Sequence, residues 1–203
     1  QPFDILRSRH TWSRTSLDVM TLGAFSGLAA TFPLLIKQIY GGFEGAPDPL
    51  AGAFYGPLVG SAARVVAGPL SDKLGGARVT HWAGLGMLAS AVWVTTLTSP
   101  TGLDSFPMFV AGMLTMFFFA GVGNASTFKQ MPMLFEPRQA GGVIGFTAAI
   151  AAYGPFLFGM LFAASFGAFK SATPVFYGLA AFFAFNVVLN WWMYARRGAA
   201  NPC

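Results

Sequence analysis

Leu50 to Leu70 reads LAGAFYGPLVGSAARVVAGPL, and this stretch decides the fold. A helix of these 21 residues crosses a hydrocarbon layer of roughly 30 Å, because each residue adds about 1.5 Å. The single charge within it is Arg64. Four glycines share a four-residue spacing with this arginine, namely Gly52, Gly56, Gly60 and Gly68. That spacing predicts one slowly drifting helix face. Since glycines let neighbouring backbones approach closely, we expect Arg64 to point into a helix bundle and not at lipid.

An arginine inside a membrane is costly, by roughly 2.5–3.5 kcal/mol at a helix centre on insertion scales. Two interpretations of Arg64 are open. In the first, it is a strut between helices, bonded to carbonyl groups or to a carboxylate on another helix. In the second, it lines a cavity and binds an anion. We expect no acidic residue inside any other apolar stretch, so the sequence favours the anion site.

The composition of the whole chain is typical of a membrane protein. Charged residues make up 9% and hydrophobic residues 55% of the chain, whereas a soluble domain has about 25% charged residues. The single cysteine, Cys203, excludes an intramolecular disulfide. The net charge of +5 comes from basic residues in loops and tails. We therefore interpret it as a signal of membrane topology and expect no nucleic-acid partner.

Apolar runs separated by turn-rich loops predict an all-α membrane protein with six transmembrane helices. The expected spans are 16–40, 50–70, 81–97, 106–127, 141–166 and 173–194. Residues 1–15 would form a cytoplasmic segment, residues 16–195 the six-helix bundle and residues 196–203 a cytoplasmic tail. Pro155 removes a backbone donor inside the fifth run, which predicts a local break there. The chain begins at Gln1 without a methionine, so we expect a piece of a longer protein.

Lys and Arg are distributed unevenly between the two ends of these helices. Nine of the 12 lie in the N-terminal segment, in the second–third and fourth–fifth loops, and in the tail. The opposite side has Lys37 and Lys170, and Arg64 lies in the membrane. Because cytoplasmic loops carry the excess of Lys and Arg, this asymmetry predicts cytoplasmic termini and an inner-membrane location.

Three polar motifs interrupt the apolar pattern. GPLSDKLGGARVT, at 68–80, is a tight charged connection that can lock two helix ends together. Its expected gating or structural residues are Gly68, Asp72, Lys73, Gly75, Gly76 and Arg78. GVGNASTF, at 121–128, places Asn124 where it bonds either another helix or a ligand. GFTAAIAAYGPF, at 145–156, spaces Gly145, Ala149 and Tyr153 by four residues.

Together these motifs resemble those of a known transporter family. GPLSDKLGGARVT resembles the signature that joins the second and third helices of each half of a major facilitator transporter. With SAARVVAGPLSDKLGG, GVGNASTF and GFTAAIAAYGPF, the chain resembles the C-terminal half of the nitrate/nitrite porters over residues 18–194. The resemblance implies a protein of two six-helix halves, each a 3+3 inverted repeat, with the substrate held between them.

The resemblance also implies a substrate site that this chain supplies only in part. Arg64 matches the substrate-binding arginine of the C-terminal half, and Phe32 matches an aromatic residue that packs on the flat face of the anion. Leu28 stands where some members carry a tyrosine that bonds the substrate. The other expected binding residues lie in the two glycine-rich motifs: Asn124, Gly145, Thr147 and Tyr153. The arginine and asparagine expected from the N-terminal half belong to a six-helix partner that this chain lacks.

The residues also fit the chemistry of nitrate and nitrite, which are planar, delocalised, monovalent anions. A guanidinium fork donates two parallel hydrogen bonds to such an anion, which lysine cannot reproduce. Glycine-lined helices can rock while they stay packed, as alternating access requires. We expect no Asp, Glu or His within the membrane in this half, although proton-coupled carriers usually need such a relay. This absence favours nitrate/nitrite exchange, in which one anion neutralises the arginine as the other departs.

The sequence leaves other functions open. A major facilitator porter for another small organic or phosphorylated anion also uses bundle arginines, but usually with further cations that are scarce here. A non-transporting six-helix partner subunit is a second alternative. Intramembrane catalysis needs a nucleophile with a base, paired aspartates or metal ligands, so we expect no enzyme, no cofactor and no metal. The expected partners are nitrate, nitrite, membrane lipid and the N-terminal half.

Overall fold

The computed structural model describes residues 4–199, and all regular structure within them is helical. Eight α-helices follow one another in this part of the chain: α1 (Arg9–Asp18), α2 (Ala24–Tyr40), α3 (Tyr55–Leu74), α4 (Gly76–Thr95), α5 (Phe106–Leu134), α6 (Pro137–Ala151), α7 (Gly154–Phe169) and α8 (Thr173–Asn190). Short 3₁₀ turns at Asp4–Arg7 and Leu103–Ser105 and π-helical turns at Val19–Gly23 and Trp191–Ala195 complete the pattern. The ends of the predicted N-terminal segment and tail, 1–3 and 200–203, lie outside the described residues.

The first long helix begins earlier than the apolar pattern predicts. Ser8 caps α1 by accepting a hydrogen bond from the backbone of His10. The helix then runs through the π-helical turn Val19–Gly23 into α2 without interruption. It therefore starts at Arg9 and not at Ser16, because the polar first turns are stabilised by packing against other helices, which hydropathy does not register.

Within the described residues, four helical stretches are long and apolar enough to cross a membrane: Arg9–Tyr40, Leu103–Leu134, Pro137–Phe169 and Thr173–Ala195. The chain is accordingly a multi-pass membrane protein. Helices α3 and α4 have 20 residues each, but their polar and small residues keep them outside this group. Gly75 alone joins them, and its φ of 88° lies in the left-handed region that favours glycine. The connection predicted at 68–80 is therefore almost entirely helical.

Helix α5 is the central element of the bundle. It packs against α3, α4, α6 and the π-helical turn Val19–Gly23. Its buried Phe109 and Phe117 contact the ring of Phe32, with centroids 6.3 and 5.8 Å apart. Phenylalanine, which is abundant in the sequence, therefore builds the core around α5.

Small residues bring α3 and α5 together. The buried positions of α3 are Gly56, Gly60, Ala63, Ala67 and Ser71. The steps along this face are mostly of four residues with one of three, because a four-residue step overshoots a full helical turn by about 40°. The prediction that Arg64 shares one packed face with four glycines is therefore wrong. Arg64 is exposed beside the buried Ala63, and Gly52 precedes the helix.

The helix predicted at 141–166 is interrupted, as the position of Pro155 indicates. Helix α6 ends at Ala151, and α7 begins at Gly154 with Pro155 in its first turn. The missing proline donor costs no intrahelical hydrogen bond at this position. The break packs tightly on the first helix, because a side chain at Gly154 would overlap the carbonyl oxygen of Gly23.

Candidate anion-binding site

Arg64 lies near the middle of α3, on an open cavity of about 480 Å³ between α3 and α5, here called the arginine cavity. One face of each helix lines it: Ser61, Arg64, Val65 and Gly68 of α3, with Ala125, Phe128 and Lys129 of α5. The arginine is exposed in the described part of the chain. Within residues 4–199 its guanidinium makes no ion pair and no side-chain hydrogen bond. In this part of the chain no carboxylate pairs directly with Arg64, so its guanidinium is open to a ligand.

A second cation, Lys129, lines the same cavity and is already compensated. Its Nζ lies 2.8 Å from Oδ1 of Asp72 and donates a hydrogen bond of 2.9 Å to Oδ2. The ion pair joins the last turn of α3 to α5, and the locking role of the segment 68–80 stays a prediction. Arg64 is therefore the cation at this cavity that an added anion would neutralise.

The level of Arg64 in the bundle follows from the contact between α3 and α5. A side chain at Gly121 of α5 would overlap the backbone of Gly60. Four residues further along each helix, Arg64 and Ala125 line the same cavity. The two helices therefore run in the same direction, and Arg64 lies at the level of residues 124–126 of α5.

Asp18 lies at that level on the first helix. Arg14 donates a hydrogen bond to Gln130 of α5, and a side chain at Gly123 would lie 2.6 Å from the Thr21 methyl group. From the first contact to the second, the residue number rises along the first helix and falls along α5, so the two helices are antiparallel. Asp18 lies between the two contacts and therefore reaches the level of the arginine cavity.

Asp18 is a buried acidic residue within a membrane-spanning helix. Its side chain is 0% exposed and lies inside the stretch Arg9–Tyr40. Within the described residues, neither carboxylate oxygen has a hydrogen-bond partner. The prediction that this half has no acidic residue in the membrane is therefore wrong. A helix start at Ser16 would place Asp18 in an exposed first turn, where acidic residues are common, whereas the true start at Arg9 places it well inside the bundle.

Two predicted binding residues, Asn124 and Thr147, are buried on α5 and α6, which pack beside the helix of Asp18. Asn124 is 1% exposed, and neither of its amide atoms has a partner within residues 4–199. Thr147 is buried, donates a hydrogen bond of 3.2 Å to the Ile144 carbonyl and lies 3.9 Å from the Met131 sulfur. Seven residues make about two helical turns, so Asn124 and Met131 share the face of α5 that meets Thr147. Met131 lies about 10 Å further along α5 than Asn124, so the Thr147 contact is at a different depth from Asn124.

Of the six predicted binding residues, Arg64 lines the arginine cavity and the other five do not. Phe32 lies in the aromatic core against Phe109 and Phe117. Gly145 is exposed on α6, and Tyr153 is 64% exposed at the break that follows. Their roles in substrate binding stay predictions.

Phe25 is an aromatic residue near Arg64 that the sequence analysis did not select. A side chain at Gly60, one turn before Arg64, would overlap the Phe25 ring, which meets Phe117 edge-on at 5.9 Å. Phe25 and Phe32 are seven residues apart and share one helix face. The seven-residue spacing singles out both residues as aromatic candidates. Only the depth of Arg64 in the bundle shows that Phe25, and not Phe32, lies near the arginine.

The other residues of the α3–α4 connection surround a second, smaller cavity. Its volume is about 340 Å³, and its cations are Arg78, Arg196 and Arg197. Lys73 is exposed nearby in the last turn of α3. Gly76 is buried, and a side chain there would lie 2.6 Å from Cγ of Gln130. The connection is therefore a compact, basic end of the bundle.

Arg14 anchors this end of the bundle from inside. It is fully buried, donates a hydrogen bond to Gln130 and stacks on the Tyr194 ring, 3.8 Å from the centroid. Gln130 in turn donates a hydrogen bond of 2.7 Å to Thr80 of α4, and the Tyr194 hydroxyl lies 2.9 Å from Nδ1 of His10. The sequence analysis counts Arg14 among the basic residues of a segment outside the bundle. The structure buries it because the first helix begins at Arg9.

Comparisons with known proteins identify the relatives of the chain, although no family model matches it. Over all 203 residues the chain is 64% identical to the probable nitrate/nitrite antiporter NarK2 of Thermus thermophilus, of which it covers 46%. Its homologues are nitrate/nitrite transporters. Over 95% of its length the chain is 32% identical to the nitrate/nitrite transporter NarU of Escherichia coli K12, and it covers 46% of that protein. Over 94% of its length it is 26% identical to the nitrite extrusion protein of Bacillus subtilis, again covering 46%.

These nitrate/nitrite transporters confirm the resemblance that the three motifs indicate. They are transport proteins, in agreement with the expectation that the chain is not an enzyme. The chain spans about half the length of the curated relatives it matches.

Proposed function

We propose that this chain is one six-helix half of a nitrate/nitrite transporter, and that Arg64 supplies the anion-binding guanidinium of this half. The observation that carries the proposal is the exposed guanidinium in mid-helix, which has no partner within residues 4–199 and opens on a cavity of about 480 Å³. An intramembrane cation of this kind marks a substrate or ion pathway. The 64% identity to a probable nitrate/nitrite antiporter supports the choice of anion.

Six membrane crossings follow if α3 and α4 span the membrane together with the four apolar stretches. Each has 20 residues, which amount to about 30 Å of helix. Six crossings, arranged as the 3+3 inverted repeat of the major facilitator fold, put both termini on one side. The side with the termini has more Lys and Arg than the opposite side, which has Lys37 and Lys170. This excess supports cytoplasmic termini and a location in the inner membrane. The burial of Arg14 does not reverse this excess.

A second six-helix half would cover the surfaces that this chain leaves open. On α6 and the following break, a row of residues at four-residue spacing is exposed: Gly141, Gly145, Ala149 and Tyr153. Small residues let membrane helices approach closely. The relatives are about twice as long as this chain. We infer that Gly145 and Tyr153 meet the second half and that residues of that half complete the anion site over Arg64.

The chemistry of the arginine cavity suits a small planar oxyanion. The guanidinium would donate two parallel hydrogen bonds to nitrate or nitrite. Phe128 lines the same cavity, and an aromatic surface hydrates ions poorly, which favours a weakly hydrated monovalent anion over phosphate or sulfate. Asn124 and Thr147 would contribute buried neutral polar groups from α5 and α6. Phe32 would support the aromatic layer from the core, two turns beyond Phe25.

Exchange of nitrate for nitrite is the transport mode that we propose, by alternating access of the two halves. When one anion leaves, Arg64 loses its ligand at a site that the second half would cover, and no carboxylate of the described residues pairs with it directly, which is costly. Binding of a second anion removes this cost and favours the return of the loaded carrier. The name antiporter of the relative from Thermus thermophilus supports exchange. A lack of embedded acids gives exchange no support, because Asp18 is buried within the first helix.

Counterflow in proteoliposomes tests this function in the complete transporter that contains this chain. Vesicles would hold unlabelled nitrite and would receive labelled nitrate outside. We expect labelled nitrate to accumulate transiently, external nitrite to reduce this uptake, and a phosphate ester to leave it unchanged. Equal uptake by vesicles without internal anion would contradict exchange. Inhibition by the phosphate ester and not by nitrite would contradict the proposed substrate class.

A further inference from the structure

The Asp18 carboxylate is a buried charge that the anion site alone does not explain. It is 0% exposed in a membrane-spanning helix, and within residues 4–199 neither oxygen has a partner at hydrogen-bond distance, although the Thr147 hydroxyl of α6 acts on it. An isolated carboxylate is so unfavourable in a low dielectric that such a group tends to take up a proton. Asp18 is therefore placed where binding of a proton relieves a large desolvation cost.

Two cations act on Asp18, one from its own helix and one from α3. Arg14 precedes it by one turn, but its guanidinium bonds Gln130 and stacks on Tyr194. Arg64 lies on α3 at the same level of the bundle, and its charge acts on the carboxylate less strongly than that of Arg14. The other helices packed around this position contribute buried polar groups without charge: Asn124 and Thr127 of α5, Thr147 of α6 and Asn186 of α8. Arg64 is therefore the charge near Asp18 that a ligand in the arginine cavity would neutralise.

The backbone beside Asp18 is irregular. The π-helical turn Val19–Gly23 follows it directly. The Thr21 hydroxyl donates to the carbonyl groups of Leu17 and Asp18, at 3.1 and 3.4 Å, as a local substitute for helical bonds. Single π-helical turns inside α-helices are frequent at functional sites. The irregular turn thus coincides with the buried acid and with the depth of Arg64.

We propose that Asp18 is a proton-binding site linked to anion binding at Arg64. In the empty site the two opposite charges offset each other at one depth of the bundle. Nitrate or nitrite on Arg64 adds a second negative charge there, and Asp18 then takes up a proton from the aqueous side. The proton leaves when the anion leaves. The inference rests on the anion site proposed above and adds its coupling to pH.

Linkage makes this coupling reciprocal. If an anion raises the proton affinity of Asp18, a proton on Asp18 raises the anion affinity by the same factor. The affinity for nitrate should therefore increase as the pH falls, by up to about tenfold per pH unit for one linked proton. Nitrate itself stays ionised throughout this range, so the dependence must come from the protein.

Nitrate binding to the complete transporter in detergent tests the proposal directly. Calorimetry between about pH 5 and pH 8 would compare the wild type with Asp18→Asn and with the control Glu44→Gln, which removes an exposed loop carboxylate. A pH indicator in weak buffer would measure proton uptake when nitrate is added. We expect pH-dependent affinity and proton uptake in the wild type and the control. Asp18→Asn should bind nitrate independently of pH, at least as tightly as the wild type at low pH, and without proton uptake.

Each other result has a defined meaning. A wild-type pH dependence that persists in Asp18→Asn would overturn the proposal, as would nitrate binding without proton uptake in the wild type, since Asp18 would then stay ionised beside Arg14. Absence of nitrate binding to the wild type at every pH would instead overturn the anion site itself. Asp18→Glu, which keeps a titratable group, should retain the pH dependence, and its loss in a folded Asp18→Glu protein would count against the proposal.

Discussion

Gly60 of α3 and Gly121 of α5 meet backbone to backbone, so closely that a Cβ atom on Gly121 would overlap the carbonyl oxygen of Gly60. The contact lies one turn before Arg64. Since α3 and α5 form the two walls of the arginine cavity, this contact fixes their separation at the cavity. The position of the guanidinium therefore depends on two residues that have no side chain.

Replacement of Gly121 by alanine should separate α3 from α5. The added methyl group has no space, so we expect a loss of about 1–3 kcal/mol in unfolding free energy, as for overpacked cores. Thermal unfolding of the complete protein in detergent would measure it. The control is Gly178→Ala on α8, where no atom lies within 4 Å of the added Cβ. Equal unfolding temperatures for the two variants would contradict the proposed role of this contact.

The stacking of Arg14 on Tyr194 should contribute to stability through the ring and not only through the hydroxyl. Tyr194→Leu removes the aromatic face under a buried guanidinium, so we expect a loss of about 2 kcal/mol or more. Tyr194→Phe keeps the ring and loses the contact with His10, which should cost only about 1 kcal/mol. Chemical or thermal unfolding would rank the two variants. A larger loss for Tyr194→Phe would show that the hydroxyl dominates.

Sequence patterns predict the coarse fold well in this protein, because hydropathy and proline act locally. The apolar runs identify the membrane helices, and Pro155 marks the break between α6 and α7. Hydropathy does not predict that the first helix starts at Arg9, because burial of Arg14 depends on Gln130 and Tyr194, which are distant in sequence. The error about Asp18 follows from that one misplaced helix start.

The candidate site is predictable in kind but not in geometry. Charge within an apolar run singles out Arg64, and polar interruptions of the pattern single out Asn124 and Thr147. Two residues on different helices share a depth only if the helices have the right axial offset. Here the contacts at Gly60 and Gly123 set that offset. Single-helix periodicity contains no such information, so it could not place Phe32 away from the arginine cavity.

The exposed small-residue row on α6 should be needed for transport but not for folding of this chain. Gly145→Leu adds bulk where, within residues 4–199, no atom beyond its own stretch of helix lies within 4 Å of an added Cβ, so it should block contact with a second half. We expect at least about a tenfold loss of nitrate transport with little change in the amount of folded protein. Gly178→Leu on α8, also exposed and uncrowded, is the matched control. Equal transport by both variants would contradict the proposed contact.

The central claim is that the Arg64 guanidinium binds the transported anion, and Arg64→Lys in the complete transporter tests it most directly. Lysine keeps the charge but cannot donate two parallel hydrogen bonds from a planar fork. Nitrate/nitrite counterflow should therefore fall to near background in Arg64→Lys and stay normal in Arg138→Lys, an exposed residue at the start of α6. Wild-type counterflow by folded Arg64→Lys protein would contradict the account.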